Sequence, residues 1–178
     1  CLSPITWKDG WPFFGLEGNL GRSPRTWVKP ATGAKVEPHA PYKRSDDFNS
    51  KTMQRVWQWN HNPEESMWSL TGKTLRLKTM PADQLMWARN TLTQRVIGPV
   101  STTTVELNAS KLKDGDVAGL GNINVPCSWI GIVKEGKQTI LRCFDQHQND
   151  TVDTPVTLKG GKVWLRFDGD FDNDRGHY

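Results

Sequence analysis

Apolar and polar positions alternate along this chain in short runs. Ser101–Asn108 reads STTTVELN and Lys73–Thr79 reads KTLRLKT, the period-two pattern of half-buried strands. Strands are expected near 53–59, 66–70, 73–79, 86–96, 101–107, 117–122, 128–133, 138–144 and 162–168. Their spacing of roughly ten residues, with turn residues between, predicts an antiparallel β-sandwich. If the sandwich is cut before its last strands, Trp129, Leu141 and Trp164 are expected to be less buried than in the full protein. Upstream, LSPITWKDGWPFFG places Asp9-Gly10 between two aromatic-rich runs, a hairpin signal. Three zones follow: 1–29, a 30–51 linker carrying Pro30, Pro38 and Pro41, and 52–178, the strand-rich domain.

Composition supports an all-β reading. Among 178 residues, 16 are Gly and 11 Pro, spread along the chain as many turns require. The apolar fraction is only 35%, so nine Trp and six Phe must supply much of the buried area. Net charge is +4, and Lys43-Arg44 is followed at once by Asp46-Asp47, so no basic stripe points to nucleic acid. No apolar run approaches the ~18 residues of a membrane span. The chain opens on Cys1 without a signal-like segment and closes on Tyr178 within a strand-like run, which reads as a piece cut at both ends. An extracellular or periplasmic location is favoured over a cytoplasmic one.

Three cysteines argue against a disulfide scaffold. CSWIGIVKEGKQTILRC reads as a hairpin with a three-residue Lys134-Glu135-Gly136 loop. That register sets Cys127 opposite Cys143, as two buried thiols or a bridge.

Chemistry within the chain is sparse. Glu64, Glu65, Asp114 and Asp116 sit among turn residues, and sequence alone cannot pair them as glycosidase carboxylates. DGDFDND puts acids at alternate positions, making Asp168, Asp170 and Asp172 candidate calcium ligands. Asn173 stands where a calcium loop of the helix–loop–helix type wants Gly. His39, His61, His147 and His177 show no zinc spacing with the cysteines. Phosphate-loop, dinucleotide and nucleophile-elbow motifs are absent. No cofactor is expected in this chain, and calcium only in a longer parent protein.

The richest stretch is WQWNHNPEESMWSL, Trp57–Leu70. Trp57 and Trp59, two apart, would share one face of a strand. Core packing is the commoner reason for such a pair. The alternative is a sugar platform, with Asn60, His61 and Asn62 bonding hydroxyls beside the indoles. Pro63 favours a turn, and Trp68 could fold back onto the pair. Trp57 is expected to be largely buried, with Trp59 and His61 nearer the surface.

WQWNHNPEESMWSL, followed by LRLKT, ARNTLTQRVIGP and LKDGDVAGL, resembles the C-terminal accessory domain of glycoside hydrolase family 43, of the β-xylosidase and α-L-arabinofuranosidase type. SPITWKDGWPFFG is similar to the closing blade of that family's five-bladed β-propeller. The resemblance implies a concanavalin-like β-sandwich, truncated before its last strands, behind a propeller fragment at 1–29. It also implies a xylan-binding module (carbohydrate-binding module family 91), with xylan or arabinoxylan oligosaccharide as partner and a contact with the rest of the propeller. The family's catalytic acids map to no residue here. Two other readings stand beside this one: a domain that only braces the propeller, and a stand-alone lectin-like domain.

Overall fold

The computed structural model describes residues 3–28, 31–33, 35 and 44–171, and the backbone alone of 175–177. The chain forms two compact units, Cys1–Lys43 and Arg44–Tyr178.

In the first unit, β1 (Ile5–Lys8) pairs antiparallel with β2 (Trp11–Phe14), Lys8 opposite Trp11. Asp9 at φ 53° and Gly10 at φ 79° make the turn, both left-handed as a two-residue hairpin of this hand requires. Gly15 follows at φ +104°, where a Cβ would sit 2.5 Å from the Arg22 carbonyl oxygen; only glycine fits. Trp7, Trp11 and Phe14 are exposed along this hairpin.

The second unit starts at Arg44, eight residues before the boundary expected at 52. The early segments are too rich in turns to build long strands. Where strands were expected over 53–59, 66–70, 73–79 and 86–96, only short ladders form. β3 (Gln58–Trp59) pairs with β6 (Leu92–Thr93), and β4 (Trp68–Leu70) with β5 (Leu75–Leu77). Two 3₁₀ turns, Glu65–Met67 and Leu85–Trp87, interrupt the pattern.

The sandwich is made from the rest. β7 (Val100–Asn108), β12 (Lys162–Asp170) and β13 (Arg175–His177) form one sheet in the order β13-β12-β7. β8 (Val117–Asn122), β9 (Ser128–Glu135), β10 (Gln138–Asp145) and β11 (Asp150–Pro155) form the other, in the order β11-β10-β9-β8. All pairs are antiparallel. β8 lies against both β7 and β12.

The core collects Ile130, Ile132, Val133, Ile140, Leu165 and Phe167, all buried. β9 places Ile130 and Ile132 on one face and Val133 on the other, so this central strand is covered on both sides. That explains why SWIGIV is apolar without alternation. β12 alternates instead: Leu165 and Phe167 point inward while Trp164 is 64% exposed. Trp164 therefore faces out of the sandwich. Trp129 and Leu141 are half-buried, Trp129 tilted against Phe144 at 5.9 Å between ring centroids.

Two further expectations change. The β9–β10 turn has two residues, Gly136 at φ 56° and Lys137, with Glu135 opposite Gln138. A three-residue loop was expected; the shorter turn shifts the register and sets Cys143 opposite Ile130. Cys127 lies ahead of β9, where its carbonyl accepts the Gln146 N–H and its own N–H donates to Gln146 Oε1, and both thiols are free. β11 was missed because DTVDTP carries a single large apolar residue. It is an edge strand, exposed throughout and ending at Pro155, where a ladder N–H is not needed.

Candidate functional site

The Trp57–Leu70 stretch folds into an aromatic knot rather than a flat strand. Trp57 precedes β3, its N–H bonded back to the Gln54 carbonyl, so it cannot share a strand face with Trp59. Its ring stacks on Phe48 at 5.5 Å, and its indole N–H donates to Asp46 Oδ2 at 2.8 Å. Trp68 folds back onto Trp59, with ring centroids 5.1 Å apart. Trp57, Trp59, His61 and Trp68 are all half-buried. The tie of Trp57 to Asp46 keeps one edge near solvent. Among the described residues, the Trp68 indole N–H is buried without an acceptor.

The Asn60 amide and the His61 imidazole beside these rings are spent on backbone. The Met86 carbonyl accepts from Asn60 Nδ2 at 3.1 Å and lies 2.7 Å from His61 Nε2. The Asn60 N–H donates to the Thr91 carbonyl at 3.0 Å. Asn62 is exposed, and its carbonyl accepts from the Arg89 guanidinium. Asn90, 4% exposed and left-handed at φ 55°, clasps Glu64 from both sides. Its Oδ1 accepts the Glu64 N–H at 2.8 Å, and its Nδ2 donates to the Glu64 carbonyl at 3.1 Å. Sequence reasoning passed over Asn90, although an Asn inside an otherwise apolar-to-basic run was a signal for a left-handed position.

The knot delivers one indole to solvent. Trp87 is 63% exposed and stacks on His61, centroids 6.2 Å apart and planes 23° from parallel. Two residues earlier, Leu85 presses on the sheet at Gly121, where a Cβ would meet Leu85 Cδ2 at 2.9 Å. The Leu85–Trp87 turn thus anchors to β8 through one side chain and presents Trp87 with another.

A second indole stands on the outer face of β7 and β12. Trp164 lies opposite Glu106, flanked along β12 by Lys162 and Arg166 and beside Thr104. Lys162 Nζ meets Glu106 Oε1 at 2.6 Å, and Arg166 Nε meets Asp168 Oδ2 at 2.8 Å. Two cations and two anions thus neutralise one another around one exposed ring.

Of the candidate calcium acids, Asp168 and Asp170 lie on β12. Asp168 is held by Arg166 and accepts from Thr102 Oγ1 at 2.5 Å. Asp172 lies outside the described residues. Among the described residues no three His, Cys, Asp or Glu side chains converge. Asp114 and Asp116 cap turns, on the Gly136 and Lys113 N–H groups, while Glu64 faces Arg89 at 3.8 Å. His39 also lies outside the described residues. No helix among them is long and apolar enough to cross a membrane.

Charge is concentrated at Arg142 on β10. Its guanidinium meets Asp153 through Nε at 2.7 Å and Nη2 at 2.6 Å, and Nη2 also reaches Glu135 at 2.9 Å. The bond from Arg142 holds the Asp153 carboxyl below the usual carboxylate range, and Arg142 is raised in turn. Burial pushes the Cys143 thiol up.

Two antiparallel sheets with a turn-rich aromatic knot at one flank define a concanavalin-like β-sandwich. Residues 45–178 match the β-xylosidase C-terminal concanavalin A-like domain of glycoside hydrolase family 43, and the chain belongs to that family. A β-xylosidase of Formosa agariphila is 36% identical over 186 residues, covering 89% of this chain and 31% of the relative. A bifunctional GH43-CE protein of Bacteroides eggerthii superposes at TM-score 0.69 with 32% identity, over 98% of this chain and 23% of that one. An engineered GH43 enzyme, described as both endo-xylanase and exo-arabinofuranosidase, superposes at TM-score 0.67 with 28% identity. There the coverage is 95% of this chain and 36% of the other. The chain thus spans about a third or less of the relatives it matches.

Proposed function

We propose that this chain is the accessory β-sandwich region of a family 43 glycosidase that removes xylose or arabinose from xylan-type chains. The match of residues 45–178 to the accessory domain, within relatives three times as long, carries this reading. Residues 1–29 fit the end of the catalytic propeller, and their exposed aromatic hairpin suits a blade that packs against neighbours. The catalytic carboxylates then belong to the rest of the parent protein.

Within the sandwich, the sugar-facing group is Trp164 rather than Trp57 or Trp59. An exposed indole covers the C–H face of a pyranose, and Arg166, Glu106 and Thr104 stand beside it to meet hydroxyls. The mutual pairing of the charges suits a neutral ligand. The Trp57–Trp68 knot serves as a brace, because Asn60 and His61 are committed to Met86. Trp87 is left for sugar or for the propeller. The purely structural reading of the whole domain is the second choice, favoured by the same commitment of polar groups.

Hydrolysis of aryl β-xyloside and aryl α-arabinofuranoside by the full-length protein, beside retention on insoluble xylan, tests the proposal. Turnover by the full-length protein and none by residues 1–178 is expected. An inactive parent, or activity in the short chain, refutes it.

A further inference from the structure

A cavity of about 530 Å³ opens at the end of the sandwich where β7 ends and β12 begins, within the size range of small-molecule sites. It is lined by Ser110, Leu112, Lys134, Lys137, Thr139 and Val156, with Gly161 at its edge. The floor is aliphatic, from Leu112 and Val156. The rim is cationic and hydroxylic. Lys134 is half-buried, and its Nζ donates to Thr139 Oγ1 at 3.0 Å, which fixes the ammonium in place.

Among the described residues no acid forms an ion pair with Lys134 or Lys137. Asp114 Oδ1 accepts the Gly136 N–H at 2.6 Å, and Asp116 Oδ2 the Lys113 N–H at 2.7 Å. Glu135 is turned to Arg142 at 2.9 Å. Among the described residues no acid lines the cavity, whereas on the Trp164 face Lys162 and Arg166 each meet an anion. The two surfaces are therefore built for different ligands.

We infer that this cavity binds a carboxylate-bearing sugar, a uronic acid, with Lys134 and Lys137 on the carboxylate and Leu112 and Val156 under the ring. Ser110 and Thr139 supply hydroxyl partners. A phosphate ion would use the lysines but not the aliphatic floor; a neutral sugar would use the floor but not the lysines. The choice of a sugar rests on the glycan-binding reading above. Gly161 precedes Trp164 by three residues, about 10 Å along an extended strand. A neutral main chain on Trp164 could thus place an acidic branch in the cavity.

The test is a titration of the full-length protein with glucuronic acid, glucose and inorganic phosphate, followed by methyl NMR and calorimetry. Free monosaccharides keep it independent of hydrolysis and of xylan retention. Glucuronate is expected to saturate, glucose to bind at least about tenfold more weakly, and phosphate to leave the Leu112 and Val156 methyl signals unmoved. Lys134→Met should weaken glucuronate about tenfold. Lys137→Glu, at an exposed position where folding is not at stake, should do the same. Equal binding of glucose and glucuronate overturns the inference, as does unchanged affinity in Lys137→Glu. Equal occupancy by phosphate, with the same methyl shifts, also overturns it.

Discussion

His61 Nε2 lies 2.7 Å from the Met86 carbonyl oxygen, which also accepts from Asn60. A carbonyl can only accept, so the imidazole carries its proton on Nε2. Both side chains thereby stitch the first strand of the knot to the turn that presents Trp87. His61→Ala and Asn60→Ala should each cost about 1 kcal/mol, the net worth of one such bond. Denaturant unfolding measures this. Unchanged xylan retention in both variants is the companion result, and its loss at full stability would make them ligand contacts instead.

The two edges of the knot should respond differently to a change from Trp to Phe. Trp57 donates to Asp46 at 2.8 Å, whereas the Trp68 N–H has no acceptor among the described residues. Trp57→Phe removes a bond to a charged group and should cost roughly 1.5 kcal/mol. Trp68→Phe relieves an unsatisfied donor and should cost less. Comparing the two melting temperatures decides, and a larger loss for Trp68→Phe contradicts the assignment.

The Arg142–Asp153 pair sets an acid limb to stability. The Asp153 carboxyl is lowered by the Arg142 bond, so the folded state binds its proton less readily than the unfolded chain. The contribution is full above the unfolded value near 3.9 and fades as pH falls through the lower folded value. An NMR titration should put the Asp153 carboxyl below that reference. Asp153→Asn should flatten the pH dependence of melting on the acid side, and a titration at or above the reference refutes the coupling.

Thiol chemistry follows from the observed register. Cys143 faces Ile130, and burial raises its thiol. At pH 8 it should react with a disulfide reagent more slowly than free cysteine, and Cys127, 3% exposed, slower still. A Cys1→Ser background isolates the pair. Mass spectrometry without reductant should find both alkylated after unfolding; a Cys127–Cys143 bridge would contradict this.

The alternating strands were legible in sequence because each had one wet face: STTTVELN is β7 almost to the residue. β9 was also found, although covered on both sides, since its apolar run is bounded by turn residues. The knot was not legible as structure. Its tryptophans suggested a strand, but its shape depends on Asp46, Met86 and Asn90, which lie 11 to 26 residues from the groups they bind. A two-residue turn in place of three, at Gly136, could not be read either, since both turns want Gly there. Trp164 was expected to be less buried than in the full protein; its outward position has a local cause, since its neighbours Leu165 and Phe167 claim the inward positions and period two turns it outward.

That outward position separates binding from stability. Trp164 is 64% exposed on an antiparallel pair nine residues long on each strand. Surface changes of this kind shift stability by about 0.5 kcal/mol or less. An indole lost from a sugar contact costs more, about 1 kcal/mol, which is roughly a fivefold loss of affinity. Trp164→Ala in the full-length protein should therefore lower xylan retention about fivefold and leave melting nearly unchanged. Trp57→Ala should do the reverse, because its ring holds Phe48 and Asp46. If Trp164→Ala instead lowers melting with retention intact, the ring is a domain contact and the sandwich is a brace. If neither property changes, Trp87 becomes the indole to replace, measured in the same two assays.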